Sequence, residues 1–318
     1  MLTRRLFGQT AALLAGSAAL PALAADVPEI LPIWPGDPPG GEAVTVQEQV
    51  VERAKDPAAL RDRYVQHVRR PTLTVFRPAR PNGTSLLMAP GGGYKWVVMD
   101  KEGYETAARF ALAGITVYVM TYRLPADGWA AGPATPLQDV QRAMRLVRHL
   151  APGRGLDPAR VAIMGFSAGG HVAGCGTLMF DRPAYRPIDA VDAVSARPDL
   201  ALLCYPVASM DPAIAHAGSR KELLGEAPTA AAQTAWSLED QVRPDAPPVF
   251  LLHALDDASV PPANALRLME ALRAARIPVE AHLFEEGGHG FGLRFTTGKP
   301  VAAWPDLALG WMKRKAFI

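Results

Sequence analysis

No His-Glu-x-x-His occurs in this sequence and no paired Cys-x-x-Cys, so the spacings that hold zinc are missing and no metal site is expected. Its glycine-rich turns never continue into Gly-Lys-Ser or Gly-Lys-Thr, which removes the usual phosphate cradle, and no cofactor is expected. Charge of one sign is scarce as well. The 33 lysines and arginines face 31 acids, a net of +2, too little to draw in a phosphate backbone or an anionic lipid surface. Nucleic acid is therefore not an expected partner. There is no internal repeat, which excludes solenoids and propellers. Cysteine is limited to Cys175 and Cys204. An oxidising compartment would permit a disulfide between them. Both lie in apolar stretches and read instead as buried free thiols, with no base or cation beside them in sequence to make a nucleophile.

Long hydrophobic runs are also few. Ala11 to Leu23 is apolar but is interrupted by Gly16, Ser17 and Pro21 and is too short to span a bilayer. It follows Arg4-Arg5-Leu6-Phe7 and ends at Ala22-Leu23-Ala24, the small-x-small pattern of a cleavage site. Residues 1–24 therefore read as a signal peptide of the twin-arginine kind, with Ala25 as the first mature residue. That expectation places the protein in the periplasm or outside a bacterial cell, with no membrane span in the mature chain. Without Arg4 and Arg5 the remaining chain carries as many bases as acids.

Residues 25–318 read as a single α/β domain. Residues 26–45 are rich in Pro and Gly and are expected to form an irregular arm. Beyond them, short apolar runs alternate with helical patterns. Thr72–Phe76, Ser85–Ala89, Ile115–Tyr122, Val161–Met164, Leu200–Tyr205, Val249–Leu252 and Val279–Phe284 read as strands. Glu102–Ala113, Pro136–Leu150, Ala168–Met179, Ala263–Ala275 and Trp304–Lys313 read as helices. Within Pro136–Leu150, for example, apolar residues recur at 137, 140, 143, 144 and 147 behind an N-terminal proline. Strands alternating with helices predict a mainly parallel sheet covered by helices on both faces. Sites on such sheets lie beyond the carboxyl ends of the strands.

Four motifs follow strands. Gly165-Phe166-Ser167-Ala168-Gly169 joins a strand to a helix; so tight a turn strains its central residue and lifts the Ser167 hydroxyl to the helix N-terminus. His289, in Gly287-Gly288-His289-Gly290-Phe291-Gly292, follows the strand Val279–Phe284 and is the candidate base. His67, His149, His216 and His282 have no such loop, His171 lies inside a helix, and His253 ends a strand, where it would satisfy a local hydrogen bond. The orienting acid is expected after Val249–Leu252, in Asp256-Asp257-Ala258-Ser259-Val260-Pro261. The spacing Asp-x-x-Val-Pro selects Asp257, with Asp256 as a turn-former or hydrogen-bond partner, although either carboxylate could serve. Glu285 and Glu286 share the His289 loop and read as surface charges. The order Ser, Asp, His is that of α/β-hydrolases. Finally, Pro90-Gly91-Gly92-Gly93-Tyr94 follows Ser85–Ala89, and its amides could join that of Ala168 in an oxyanion hole.

These motifs, together with Leu31-Pro32-Ile33-Trp34-Pro35-Gly36, Tyr205-Pro206-Val207 and Leu223-Leu224-Gly225, resemble those of the bacterial α/β-hydrolase esterases known as acetylxylan or carbohydrate acetyl esterases, related to a feruloyl-esterase-like branch. The resemblance runs over nearly all of residues 25–318. It departs at Pro90, where lipase-like relatives carry His, a side chain on which the amide donors do not depend. It implies that Ser167 attacks an ester carbonyl, His289 takes its proton, Asp257 orients the imidazole, and the amides of Gly92, Gly93 and Ala168 hold the oxyanion. Acetylated sugars or xylo-oligosaccharides are the implied substrates, with a general short-chain carboxylesterase or lipase-like enzyme as the alternative. Tyr94 and Trp96, beside the oxyanion loop, are candidates to line the substrate pocket, and Trp34, Trp129 and Trp236 are weaker ones. A prolyl-oligopeptidase-type peptidase would share the triad order but normally adds a propeller. A non-catalytic binding protein on this fold would tend to lose a triad member. Ser167→Ala is expected to abolish hydrolysis of a small chromogenic acetate while the protein folds normally; a variant that keeps substantial activity rejects Ser167 as nucleophile.

Overall fold

A computed structural model describes residues 29–56 and 58–318. The proposed signal peptide, residues 1–24, lies outside the described residues. The strands are β1 (Glu29–Pro32), β2 (Gln49–Glu52), β3 (Arg63–Gln66), β4 (Thr72–Phe76), β5 (Ser85–Ala89), β6 (Val97–Val98), β7 (Thr116–Met120), β8 (Val161–Phe166), β9 (Leu200–Cys204), β10 (Val249–Ala254) and β11 (Val279–Phe284). The helices are α1 (Glu105–Ala111), α2 (Thr135–Leu150), α3 (Ala168–Leu178), α4 (Ala217–Leu224), α5 (Ala230–Trp236), α6 (Ala263–Ala274) and α7 (Trp304–Arg314).

Eight strands form one sheet in the order β1-β4-β7-β5-β8-β9-β10-β11. From β7 to β11 every neighbour is parallel; β1 and β4 add antiparallel pairings at one edge. This is an α/β-hydrolase fold. The central strands β5, β7, β8 and β9 are buried along their whole length, as expected when both faces are covered. Period-two alternation divides their side chains. Leu87 of β5 and Ile163 of β8 pack with Val140 of α2, Val172 of α3 and Leu268 of α6. Leu86 and Met88, pointing the other way, pack with Phe110 of α1 and with Trp304 and Trp311 of α7. Among the described residues, no helix is long and apolar enough to cross a membrane.

The structure corrects the sequence at three places. The arm expected to be irregular contains β1, paired antiparallel with β4 in the register Glu29 to Val75. Trp34, just beyond it, is buried and donates its indole N–H to Asp139 at 2.8 Å. Asp139 is in turn ion-paired with the fully buried Arg123, whose guanidinium also reaches the Pro39 carbonyl at 2.7 Å. Polar side chains thus clamp the arm to α2, a long-range arrangement that local composition does not show. A second small sheet, β2-β3-β6, was not anticipated either; its strands are short and partly exposed, so their apolar alternation is weak. The helix expected from Glu102 opens instead as a wider π turn, Asp100–Tyr104, before α1.

Cys175 and Cys204 are free and buried. Burial pushes the Cys175 thiol up to about 12, which leaves it inert at neutral pH. Beside it in α3, His171 is fully enclosed. Its Nε2 lies 2.7 Å from the Trp236 carbonyl, which can only accept, so Nε2 carries the proton and Nδ1 accepts from the Tyr94 hydroxyl at 2.6 Å. Burial lowers this imidazole from 6.5 to about 4. The unfolded chain therefore takes up this proton more readily, and stability is lost as pH falls from about 6.5 through 4. In denaturant unfolding this ring should contribute a loss of about 3 kcal/mol across that window. His171→Gln is expected to remove that pH-dependent part whatever its offset at neutral pH; an unchanged slope rejects the assignment.

Candidate active site

The site is built where β8 turns into α3. Ser167 takes φ 55° and ψ −121°, a conformation that side-chain-bearing residues rarely adopt, at a cost of about 1–3 kcal/mol. The flanking residues must be glycine on steric grounds. A Cβ on Gly165 would stand 2.1 Å from the Gly169 carbonyl oxygen, and one on Gly169 would stand 2.2 Å from that of Ala89. The turn is held by β9 and the residues just after it, through hydrogen bonds from Ser167 N–H to the Cys204 carbonyl and from Val207 N–H to the Ser167 carbonyl.

The structure brings Ser167, His289 and Asp257 together. Ser167 Oγ lies 2.8 Å from His289 Nε2, and His289 Nδ1 lies 2.6 Å from Asp257 Oδ2. An ionised carboxylate only accepts, so Nδ1 carries the imidazole proton and Nε2 is left to accept from the serine hydroxyl. Asp257 follows β10. Its Oδ1 accepts from the amides of Ser259 and Val260, each at 2.9 Å. The buried His253 approaches Oδ2 at 3.3 Å while bonding the Val260 carbonyl at 2.9 Å. Burial alone would raise the Asp257 carboxyl. The hydrogen bonds from His253 and His289 outweigh burial and hold it well below the usual carboxylate range. Asp256 does different work. Its Oδ1 accepts from the amides of Gly287 and Gly288, at 2.9 and 2.7 Å, and so anchors the loop that carries His289.

The glycine loop after β5 faces the same serine. The amides of Gly92 and Gly93 have no hydrogen-bond partner among the described residues. The Ala168 amide, first in α3, has no acceptor within its helix and sits at the positive end of the helix dipole. An arrangement of hydroxyl, imidazole, carboxylate and unpaired amides can add a nucleophile to a carbonyl and stabilise the negative oxygen that results.

A cavity of about 380 Å³ opens onto Ser167 and His289, walled in part by Gly92, Gly93, Trp96 and Lys101. Trp96 therefore reaches the pocket, its ring held 4.9 Å from that of Tyr64 in the small sheet. Tyr94 does not; it is buried and turned toward His171. Trp34 and Trp129 are buried as well. A larger groove of about 1200 Å³, between β4 and α1, contains no serine and no histidine.

Two residues that carried no sequence signal stand in the site. Glu102 is buried beneath the glycine loop. It accepts from the Gly91 amide at 2.8 Å and from the Tyr205 hydroxyl at 3.0 Å. The same hydroxyl accepts from the Gly292 amide at 3.2 Å, and the Tyr205 ring meets the His289 ring edge-on at 5.2 Å. One carboxylate thus ties the glycine loop to the histidine loop. His216, which has no loop signature in the sequence, also lines the cavity. It precedes α4, and only the chain's path from β9 brings it there.

The BD-FAE family matches residues 75–272, and the chain belongs to it. That span includes Ser167 and Asp257 and ends before His289. The chain is 33% identical over 227 residues to the acetylxylan esterase of Xylanibacter ruminicola, covering 69% of this chain and 43% of that protein. It is 36% identical over 205 residues to endo-1,4-beta-xylanase B of Butyrivibrio fibrisolvens, covering 64% of this chain and 32% of that protein. The chain therefore spans less than half the length of either relative. Among solved structures it resembles the acetyl ester-xyloside bifunctional hydrolase of Caldicellulosiruptor lactoaceticus, with a TM-score of 0.73 and 32% identity, over 93% of this chain and 100% of that one.

Glu102→Ala would strand the Gly91 amide and the Tyr205 hydroxyl. A stability loss of about 1–3 kcal/mol is expected from denaturant unfolding, and a smaller one for Glu102→Gln, which retains an acceptor. Equal losses in the two variants would mean that the acceptor is not what matters.

Proposed function

We propose that this BD-FAE family member is a serine carboxylic ester hydrolase that removes acetyl groups from acetylated sugars or xylo-oligosaccharides. The observation that carries the reading is the continuous array from Ser167 Oγ through His289 to Asp257, at 2.8 and 2.6 Å, facing unpartnered amides.

In this reading Ser167 Oγ attacks the ester carbonyl as His289 Nε2 takes its proton. The tetrahedral oxyanion is held by the amides of Gly92, Gly93 and Ala168. Asp257, kept ionised by its hydrogen bonds, stabilises the imidazolium without taking its proton. His289 then gives the proton to the departing alcohol oxygen. Water enters, loses a proton to His289, and attacks the acyl-enzyme; collapse releases the acid and restores the serine hydroxyl. No step needs a cofactor. Sugar acetates are favoured by the three relatives, all of which carry xylan, xyloside or acetyl-ester chemistry in their names, and by the pocket, which sets Trp96 beside polar groups. The arginine-pair leader fits this substrate, since export would take the enzyme to a polymer that does not enter cells.

The test is acetate release from acetylated xylo-oligosaccharides, run beside p-nitrophenyl esters of increasing acyl length. Release from the sugar is expected, with kcat/KM highest for acetate and falling as the acyl chain grows. A rate that rises with chain length, with no release from the sugar, would point to a lipase-like enzyme instead.

A further inference from the structure

His216 has the properties of a substrate-binding donor. It caps the N-terminus of α4, and its Nδ1 accepts from the Ser219 backbone amide at 3.1 Å. A backbone N–H can only donate, so Nδ1 must present its lone pair. The Ser219 hydroxyl lies against the same nitrogen at 2.8 Å. The ring proton is thereby placed on Nε2. Burial, then the neighbouring His289, lower the pKa of this imidazole, so the neutral tautomer is the one present at neutral pH. Nε2 has no hydrogen-bond partner among the described residues, nor does it belong to the polar atoms sealed from solvent without one. The ring borders the cavity that holds Ser167 and His289. Its Cε1 would lie 3.9 Å from a Cβ placed on Gly93, so the ring stands beside the glycine loop. The cavity wall therefore includes a ring of fixed tautomer whose Nε2–H the protein leaves unused.

An acetyl ester offers few oxygens to such a donor. In the proposed mechanism the carbonyl oxygen goes to the amides and the leaving oxygen to His289. A methyl group has nothing to accept a hydrogen bond. What remains is the alcohol portion of the substrate. We propose that His216 Nε2–H donates to a hydroxyl or ether oxygen of that alcohol portion, making His216 a residue that selects polyhydroxylated esters over simple aryl or alkyl esters. This inference rests on the sugar-ester reading above. It adds the group that tells a sugar acetate from any other acetate: a donor at the cavity wall makes a hydrogen bond with a hydroxylated alcohol portion that a simple aryl or alkyl ester cannot offer.

The test uses His216→Asn. Asparagine is a good helix N-cap, so the variant keeps the acceptor for the Ser219 amide while withdrawing the donor from the cavity. The readout is the ratio of kcat/KM on acetylated xylo-oligosaccharides to kcat/KM on p-nitrophenyl acetate, with the thermal midpoint measured alongside. The ratio is expected to fall about tenfold or more in the variant, the size of one lost hydrogen bond of roughly 1.4 kcal/mol. A helix-capping role alone would lower both activities together and leave the ratio where it was; that result overturns the proposal. His216→Ala, which removes both cap and donor, should show the same fall in ratio with a lower thermal midpoint. If the unaltered protein hydrolyses p-nitrophenyl acetate but not the acetylated oligosaccharide, the sugar-ester reading itself fails, and this inference with it.

Discussion

The backbone at Ser167 turns through φ 55°, and the rest of the site is arranged around that turn. The strand can pass into the helix at this one residue only because positions 165 and 169 lack side chains: a Cβ on Gly165 or Gly169 would collide with the carbonyl oxygen of Gly169 or Ala89. That contact also joins α3 to the end of β5, where the glycine loop begins. The elbow and the amides facing it are thus one packed unit. Strain at Ser167 is tolerated because the end of β9 and the segment after it grip the turn from the other side, through the Cys204 and Val207 hydrogen bonds.

Around this unit, carboxylates hold the loops. Asp256 takes two amides of the histidine loop, Asp257 takes two of its own turn, and Glu102 takes one amide of the glycine loop and the Tyr205 hydroxyl. Each is an acceptor bonding to main-chain donors of the loops around the site. The loops are accordingly set by charge-assisted hydrogen bonds to their backbones, and glycine there does not mean slackness.

The histidines show how one residue type is put to different uses by what it touches. His171 and His253 are each fixed through Nε2 by a carbonyl, one bracing α3 and the other the Asp257 turn. His289 is fixed through Nδ1 by a carboxylate, which frees Nε2 to accept. His216 is fixed through Nδ1 by an amide, which frees Nε2 to donate. The two rings that border the cavity therefore differ in their free nitrogen, an acceptor in His289 and a donor in His216.

The hydrolase architecture, Ser167, His289 and the chain order of the array were legible in the sequence, and the acid was narrowed to Asp256 or Asp257, because each rests on a local rule. A strand-to-helix turn demands glycine around its serine, a parallel sheet places its chemistry just after strands, and apolar periodicity marks both. The parts decided by tertiary structure rest on contacts across long stretches of chain. Trp34 meets Asp139 across 105 positions, and Glu102 meets Tyr205 across 103; no local pattern records either. Tyr94 and Trp96 look equivalent in sequence, two aromatics beside one loop. Only the fold sends the first into the core against His171 and the second to the pocket wall. Asp256 and Asp257 are adjacent carboxylates, and the turn after β10 gives one to the loop amides and the other to the imidazole. Local chemistry determined which groups the protein could use. The packing of distant segments decided which of them face one another, since direction in space is a property of the folded chain.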